Sequence, residues 1–154
     1  MYDIKPVTTL IANACGEASL KMLLKYYGKD VSLDDLIEEC SAGFIGCTAS
    51  DMVRVGKSHG LDMRVYKMDA EALMTLDRPA IAWWKFDHFV VFCGMNNKGE
   101  PVICNPSIGR FAISIDAFSR FFSGIALCNG RADDVFDVDD YFGENIVDPD
   151  FFND

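Results

Sequence analysis

The sequence has little of what metal sites, disulfide scaffolds, membranes and nucleic acids require. It contains only two histidines, and none of its six cysteines belongs to a Cys-x-x-Cys pair, so the spacing typical of a structural zinc site is missing. No apolar run approaches the roughly 18 residues that a membrane-spanning helix needs. Residues 1–6 lack the basic start and apolar core of a secretory signal. We therefore expect reduced thiols, no metal, no membrane span and a cytoplasmic location.

Basic residues are also scarce, since 14 Lys and Arg face 24 Asp and Glu and give a net charge of −10. Residues 130–154 hold nine of these acids and one base, Arg131, which leaves 15 acids and 13 bases in residues 1–129. Neither part has the basic stripe that a nucleic-acid partner requires. We expect a compact domain over 1–129 and an acidic tail over 130–154. The aromatic residues among these acids favour docking of the tail on a partner protein or on the domain, and the alternative is a solvated disordered end.

The sequence pattern predicts helices first and strands second. Apolar residues at three- and four-residue spacing predict helices over 15–27, 33–40 and 48–59, and shorter ones after Asp69 and over 116–122. Short apolar runs between turn residues predict strands over 61–68, 80–85, 88–95, 102–105, 109–114 and 124–128. This order predicts an α+β fold with an antiparallel sheet packed against the N-terminal helices.

Three residues far apart in sequence point to chemistry. Cys15 stands at the start of the first predicted helix, His88 opens an apolar strand, and Asn105 ends another and is followed by Pro106. A helix N-terminus favours thiolate over thiol, an imidazole forms an ion pair with it, and an amide fixes the imidazole ring. Together these are the parts of a papain-like nucleophile site.

The turn at 96–99 allows the register of the site to be predicted. Whether the loop has two or four residues, the residue numbers of any two paired residues add up to 195. Asn105 therefore lies opposite Val90. His88 then shares a sheet face with Asn105 as a diagonal neighbour, at roughly 7–8 Å. The same register brings Cys93 and Cys104 together on the opposite face, in the core.

Each of the three residues has a structural alternative when it is considered alone. A cysteine before a helix is more often a small buried apolar residue, and Asn-Pro is usually a turn. The second histidine, His59, is interpreted as a surface helix cap without a chemical role. The joint occurrence of thiol, imidazole and amide on compatible elements favours a site.

The chain resembles the bacteriocin-processing, double-glycine leader cysteine peptidases, the papain-like domains found at the N-terminus of bacteriocin ABC exporters. The similar stretches are residues 14–20, 25–33, 60–66, 79–83, 88–91, 105–106 and 118–127. The resemblance covers about residues 7–128, in the family's order throughout.

The resemblance implies a papain-like fold and a cytosolic cysteine endopeptidase without a cofactor. Its substrate would be a precursor with a leader peptide, cut after a small-residue pair that is usually Gly-Gly. Cys15 would be the nucleophile and His88 the base, and Asn105 stands where the family usually has Asp. Because the sequence has no membrane-spanning or ATPase segment, we expect a stand-alone domain.

The chain departs from the family at the oxyanion hole. The family places a Gln six residues before the nucleophile, whereas this chain has Thr9 there and contains no Gln. We expect Thr8, Thr9 or Asn13 to act as the donor, with Thr9 and Asn13 as the principal candidates. If none does, the alternative is a catalytically weak domain that binds leader peptide or a partner protein. Another acyl-transfer activity, such as that of a deamidase or a toxin-like effector, is a third interpretation.

Three more residues are predicted to lie at the substrate cleft. Gly16 leaves room for the substrate backbone. Trp83 and Trp84 alternate across the sheet, so we expect one in the core and the other, Trp83, at the border of the cleft. Asp87 stands where the family often has Asn, and its charge is expected to raise the pKa of His88.

Overall fold

The computed structural model describes residues 1–11, 13–40, 47–132 and 136–137. Helices and strands both occur in this part of the chain, with helices first, as the sequence predicted. In chain order the elements are α1 (Cys15–Tyr26), α2 (Leu33–Cys40), α3 (Ala49–Ser58), β1 (Met63–Lys67), α4 (Ala70–Met74), β2 (Ala80–Trp84), β3 (His88–Met95), β4 (Pro101–Asn105), β5 (Gly109–Ala112), α5 (Ile115–Phe121), β6 (Phe122–Asn129) and β7 (Phe136–Asp137).

The strands form one antiparallel sheet in the order β5-β4-β3-β2-β6-β1-β7, which confirms the predicted α+β class. Helices α1, α2 and α3 pack together, with α1 against β3 and α3 against β1. Helices α4 and α5 pack at β6. Phe89 and Val91 of β3 enter the core beneath α1–α3, whereas Val90 and Phe92 enter the core beside α5. Helices therefore cover both faces of the sheet.

Local hydrogen bonds set the ends of the N-terminal helices. The Thr48 hydroxyl accepts from the Asp51 backbone N–H at 3.0 Å, and the Asp51 carboxylate accepts from the Thr48 N–H at 3.1 Å. This capping box starts α3, as the sequence predicted. Ser32 accepts from the Asp35 N–H at the start of α2. Helix α1 ends just before Gly28, which has φ +81°.

The β3–β4 hairpin confirms the predicted register near the candidate site and departs from it near the turn. Val91 pairs with Cys104, so paired positions sum to 195 there. Met95 instead pairs with Pro101, one residue out of step. Gly94, at φ +97°, lies in the β-bulge that takes up the extra residue. The prediction that the register stays constant up to a two- or four-residue loop is therefore wrong next to the turn.

Other strand ends also differ from the prediction. Strand β6 begins at Phe122, two residues earlier than predicted, and continues through Gly124, which has φ +88°. The strand was predicted to start at Gly124, but the pairing of Phe122 with Trp84 of β2 begins it two residues earlier. Strand β7 was not predicted, and it pairs with the edge of β1.

Residues after β6 remain attached to the sheet. The Tyr66 hydroxyl donates to the Gly130 carbonyl at 3.0 Å and accepts from the Ala132 N–H at 2.9 Å. Arg78 donates to the Arg131 carbonyl at 2.8 Å. The division into a domain and a tail at residue 129 stays a prediction. The rest of the predicted tail, residues 133–135 and 138–154, lies outside the described residues.

The helices in the described part of the chain are short. The longest, α1, has 12 residues. Within residues 1–11, 13–40, 47–132 and 136–137, no helix has both the length and the apolar character needed to cross a bilayer.

Candidate active site

Cys15 is the first residue of α1, at the helix end whose backbone N–H groups have no partners within the helix. The N-cap residue is Ala14, which has no side-chain oxygen to cap them. The Cys15 thiol is partly buried, whereas the other five cysteines are buried. The helix dipole and the uncapped N–H groups favour negative charge at this position.

His88 and Asn105 meet through their side chains. His88 Nε2 and Asn105 Oδ1 are 2.9 Å apart. His88 is the first residue of β3 and Asn105 is the last residue of the neighbouring antiparallel strand β4, so both lie at the same end of the hairpin. The structure thus brings together the two residues that the register placed side by side.

A second hydrogen bond fixes the orientation of the Asn105 amide. The backbone N–H of Ser107 donates to Asn105 Oδ1 at 2.9 Å. Because a backbone N–H can only donate, the atom it meets must be the amide oxygen and not the amide nitrogen. His88 Nε2 therefore donates to the same oxygen. This leaves Nδ1 as the ring nitrogen that can accept a proton.

The third contact joins His88 to Cys15. A hydrogen bond with the Cys15 side chain is the largest cause that raises the pKa of His88 above its ordinary value. Burial opposes this shift, while the bond to Asn105 and the charge of Asp87 add to it. Since Nε2 is engaged by Asn105, the nitrogen that faces the thiol is Nδ1. This geometry allows a proton to pass between the Cys15 thiol and His88 Nδ1.

Thr9 and Asn13, the predicted oxyanion donors, lie in the segment that leads into α1. The Thr9 N–H donates to the Pro106 carbonyl at 2.9 Å, which places Thr9 beside the turn after Asn105. Thr9 Oγ1 accepts from the Ile11 N–H at 3.0 Å, and this leaves the hydroxyl hydrogen able to donate. Asn13 is exposed and has φ +65°, a left-handed conformation that asparagine tolerates. Their role at an oxyanion stays a prediction.

The structure buries two of the three residues predicted at the cleft. A Cβ added at Gly16 would lie 3.0 Å from Cys47 Cβ, so the small size of Gly16 serves packing against Cys47. Trp83 is 8% exposed, and its ring centroid lies 4.7 Å from that of Phe89. Alternation along β2 does not expose the ring, because helices cover both sheet faces. Asp87 is exposed in the turn before His88. Contact of these residues with substrate stays a prediction.

The other five cysteines are buried in the core and form no disulfide. Cys93 Sγ and Cys104 Sγ lie 3.4 Å apart, which confirms the predicted meeting of these two side chains. A hydrogen bond with Cys40, together with burial, raises the pKa of the Cys47 thiol. Cys40, Cys47, Cys93 and Cys104 are therefore core residues.

His59 has the structural setting that the sequence indicated. It is the C-cap residue of α3, and its Nε2 lies 2.8 Å from Glu39 Oε2 on α2. Among the residues that the structure describes, no group of three or more His, Cys, Asp or Glu side chains is placed to hold a metal ion. The expectation of no metal and no cofactor stays a prediction.

Two polar residues of α1 are buried in the structure but were not singled out from the sequence. Glu17 is 2% exposed, its Oε1 has no hydrogen-bond partner among the described residues, and burial raises its pKa. Ser19 is fully buried, and its hydroxyl donates to the Phe89 carbonyl at 3.3 Å. Both could have been noticed as polar residues within the first turns after Cys15, on a helix that otherwise buries apolar side chains.

Comparison with known proteins shows which family and which relatives the chain is similar to. The model of the Peptidase C39 family matches residues 4–134. The colicin V secretion/processing ATP-binding protein of Escherichia coli is 30% identical over 113 residues, which are 73% of this chain and 16% of that protein. An uncharacterized protein of Methanothermobacter thermautotrophicus is 26% identical over 114 residues, 74% of this chain and 80% of that protein. This chain therefore spans only a small part of the exporter relative.

Solved structures show the same fold. A double glycine motif protease from an AMS/PCAT transporter, solved in complex with the leader peptide, gives a TM-score of 0.77 at 32% identity over 82% of this chain and 90% of that chain. The peptidase domain of Streptococcus ComA, a bi-functional ABC transporter, gives a TM-score of 0.74 at 25% identity over 86% of this chain and 100% of that chain. These likenesses confirm the predicted papain-like fold. With a family match that covers most of its length, the chain belongs to the peptidase C39 family.

Proposed function

We propose that this chain is a cysteine endopeptidase that cuts a leader peptide after a small-residue pair of the Gly-Gly type in a bacteriocin-like precursor. The observation that carries the proposal is the row of contacts from Cys15 through His88 to Asn105, which begins at a helix N-terminus. The names of the relatives support it, since one is a processing protein for colicin V and another was solved with a leader peptide bound.

The first half-reaction forms an acyl-enzyme. The Cys15 thiolate attacks the scissile carbonyl carbon, so that a C–S bond forms and the carbonyl oxygen becomes negative. The His88 imidazolium then gives its Nδ1 proton to the amide nitrogen as the C–N bond breaks, and the amine product leaves. The backbone N–H of Cys15, at the start of α1, is one donor to the oxyanion.

The second half-reaction releases the leader. His88 Nδ1 takes a proton from a water molecule, whose oxygen attacks the acyl carbon. The C–S bond breaks, and the thiolate–imidazolium pair forms again. Throughout both steps the Asn105 oxygen accepts from His88 Nε2 and holds the ring with Nδ1 toward the thiol.

The second oxyanion donor comes from the segment before α1. Thr9 lies beside the Asn105–Pro106 turn, and Asn13 lies two residues before the nucleophile. The loss of one such donor costs on the order of 10²–10³ in rate. In this proposal the Thr9 hydroxyl or the Asn13 amide supplies it.

Exposed apolar side chains stand on the three segments that flank these residues. Leu10 precedes α1, Phe86 precedes His88, and Ile108 follows Asn105, with exposures of 103%, 69% and 69%. Exposed apolar side chains close to a reactive group provide surface that a peptide could cover. They support a peptide as the substrate.

A second candidate function is a domain that binds leader peptide without efficient cleavage. The observation that favours it is Thr9 in the position where the resemblance predicts Gln, in a chain without any Gln. A hydroxyl on a shorter side chain reaches less far than the amide of Gln. Under this candidate Cys15 would still be activated, but turnover would be slow.

The predicted organisation belongs to the same proposal. A peptidase domain covers residues 1–129, and part of the acidic tail over 130–154 docks on a partner protein or on the domain. We propose that the reaction takes place in the cytoplasm, where the six thiols would remain reduced.

Peptide cleavage tests the proposal directly. A synthetic precursor with a Gly-Gly pair at the end of its leader should be cut after the second glycine by the whole chain and not by a Cys15→Ala variant. The matched control is the same peptide with the pair replaced by two leucines, which should remain intact. Binding of the Gly-Gly peptide without cleavage would instead support the second candidate.

A further inference from the structure

Ser19 is a hydroxyl buried in the core between α1 and the sheet. It has no exposed surface, and its Oγ donates to the Phe89 backbone carbonyl on β3 at 3.3 Å. Burying a hydroxyl without a partner is costly, so this bond compensates for the position of Ser19 in an apolar core. The bond also joins two elements that are 70 residues apart in sequence.

The two elements joined by Ser19 are the ones that carry the nucleophile and the base. Ser19 is four residues after Cys15, so both side chains lie on the same face of α1, one turn apart. Phe89 directly follows His88 on β3. The Ser19–Phe89 bond therefore joins the same two elements as the Cys15–His88 contact, one helical turn further along α1.

We propose that Ser19 is a positioning residue, whose hydroxyl fixes α1 along β3 so that the Cys15 thiol stays within reach of the His88 ring. The inference rests on the proposed function for its kinetic consequences, but the contact itself can be measured without turnover.

The geometry explains why a directional bond is needed here. Most of the contact between α1 and the sheet is made by apolar side chains such as Leu20 and Leu23. Apolar packing is not directional, so it resists separation of the helix from the sheet better than a small slide along it. A displacement of about 1 Å at a catalytic contact can cost on the order of 10²-fold in rate. The Ser19 hydroxyl opposes such a slide.

The experiment uses the whole chain, with Ser19→Ala as the variant and Ser58→Ala as the matched control. Ser58 is also a helical serine whose hydroxyl donates to a backbone carbonyl, that of Val55, but its acceptor lies in its own helix α3. Both variants remove one hydroxyl–carbonyl hydrogen bond. Thermal unfolding of both shows how much stability each loses.

The first readout is the NMR titration of the histidine ring protons, which needs no substrate. The chain has two histidines, so the His59 signal serves as an internal reference beside that of His88. Contact with Cys15 is the largest cause of the raised pKa of His88. Ser19→Ala should move the titration of His88 down toward that of an ordinary histidine, and Ser58→Ala should not.

The second readout is cleavage of the Gly-Gly precursor. Ser19→Ala should lower kcat by about tenfold or more with little change in KM, because the substrate surface is intact while the thiol and ring are displaced. Ser58→Ala should leave both constants unchanged.

An unchanged His88 titration in Ser19→Ala would overturn the inference, whether or not the chain cleaves peptides. A shifted titration in a chain that cuts no peptide would uphold the role of Ser19 and reject the proposed function. A fall in kcat that Ser58→Ala reproduces at equal loss of stability would also overturn the inference, because the effect would then be general.

Discussion

At the scale of single residues, Asn105 does more than place an amide next to His88. Its one oxygen accepts from both His88 Nε2 and the Ser107 N–H, and the second bond determines which way the amide faces. The resemblance predicted an Asp at this position, and an aspartate oxygen could accept the same two bonds. The amide therefore keeps the geometry of the ring without adding a charge.

Substitution of Asn105 should separate these two contributions. Asn105→Ala should lower kcat by roughly 10²-fold, because the ring loses its orientation, and should lower the pKa of His88, because a bond that raises it is lost. Asn105→Asp should retain activity and raise the pKa of His88 further, since a carboxylate stabilises the imidazolium. NMR titration and peptide kinetics measure both effects. Equal pKa values of His88 in all three proteins would contradict this account.

Glu17 is the other residue whose environment has measurable consequences. Glu17 is 2% exposed, and this burial raises the pKa of its carboxyl; the negative charge of nearby Asp51 raises it further. Hydrogen bonds from the backbone N–H groups of Glu17 and Cys47 lower the pKa but do not offset these effects. The folded chain therefore holds the Glu17 proton more tightly than the unfolded chain, whose value is 4.5. Between 4.5 and the raised folded value, the stability contributed by this group falls as pH rises.

Glu17→Gln should remove this pH dependence. The free energy of unfolding of the original chain should decrease as pH rises above 4.5, by about 1.4 kcal/mol for each unit by which folding raises the pKa of Glu17. The difference between the two proteins isolates Glu17, because His88 is present in both. Denaturant titrations across this pH range measure it. Parallel stability curves for the two proteins would show that Glu17 is not held in its protonated form by the fold.

At the scale of elements, the β3–β4 hairpin shows how one glycine takes up a register shift at the turn end while the site end keeps its register. The register that brings His88 to Asn105 holds at Val91, but it shifts by one residue before the turn. Gly94 accommodates the shift at φ +97°, and a Cβ there would lie 3.1 Å from Met1 Cα and 3.3 Å from the Tyr2 ring. The N-terminal segment thus packs directly over the bulge.

Gly94→Ala should destabilise the chain more than Gly99→Ala does. Both glycines have positive φ, so both substitutions carry a backbone cost of about 1–2 kcal/mol. A Cβ at Gly99 meets open space, whereas one at Gly94 must displace the backbone of Met1. We therefore expect a further loss of roughly 1–3 kcal/mol at Gly94 from this close contact. Equal losses in denaturant unfolding would refute the packing role of Gly94.

The elements that could be predicted from the sequence are those whose ends are set locally. The Thr48–Asp51 capping box and the Ser32 cap involve residues three apart, so they can be recognised without knowledge of the fold. The start of β6 depends on the pairing of Phe122 with Trp84 of β2, and the existence of β7 depends on pairing with β1. Both partner strands are distant in the chain, so neither pairing can be recognised from local sequence.

At the scale of the whole molecule, the site forms where the helical layer meets one end of the β3–β4 hairpin. The register predicted that His88 and Asn105 meet, because it needs only the turn and the alternation of a strand. The approach of Cys15 could be inferred only from residue types and family resemblance, since no local pattern positions α1 on β3. For the same reason Ser19, which acts across that interface, was not predicted.

The burial of Trp83 follows from the whole molecule as well. Trp83 lies in the core beneath α1–α3, and Trp84, on the opposite face of β2, lies in the core beside α5. All five residues of β2 are buried. Large exposed apolar side chains are found instead outside the strands, at Leu10, Phe86 and Ile108.

The central claim is that His88 activates Cys15, and the rate of Cys15 alkylation tests it most directly. Cys15 is the one cysteine that is not buried, so iodoacetamide labels it selectively in the folded chain. At mildly acidic pH the chain should be labelled rapidly at one site, and His88→Ala should slow the labelling by on the order of tenfold or more. Equal and slow labelling of both proteins would contradict the account.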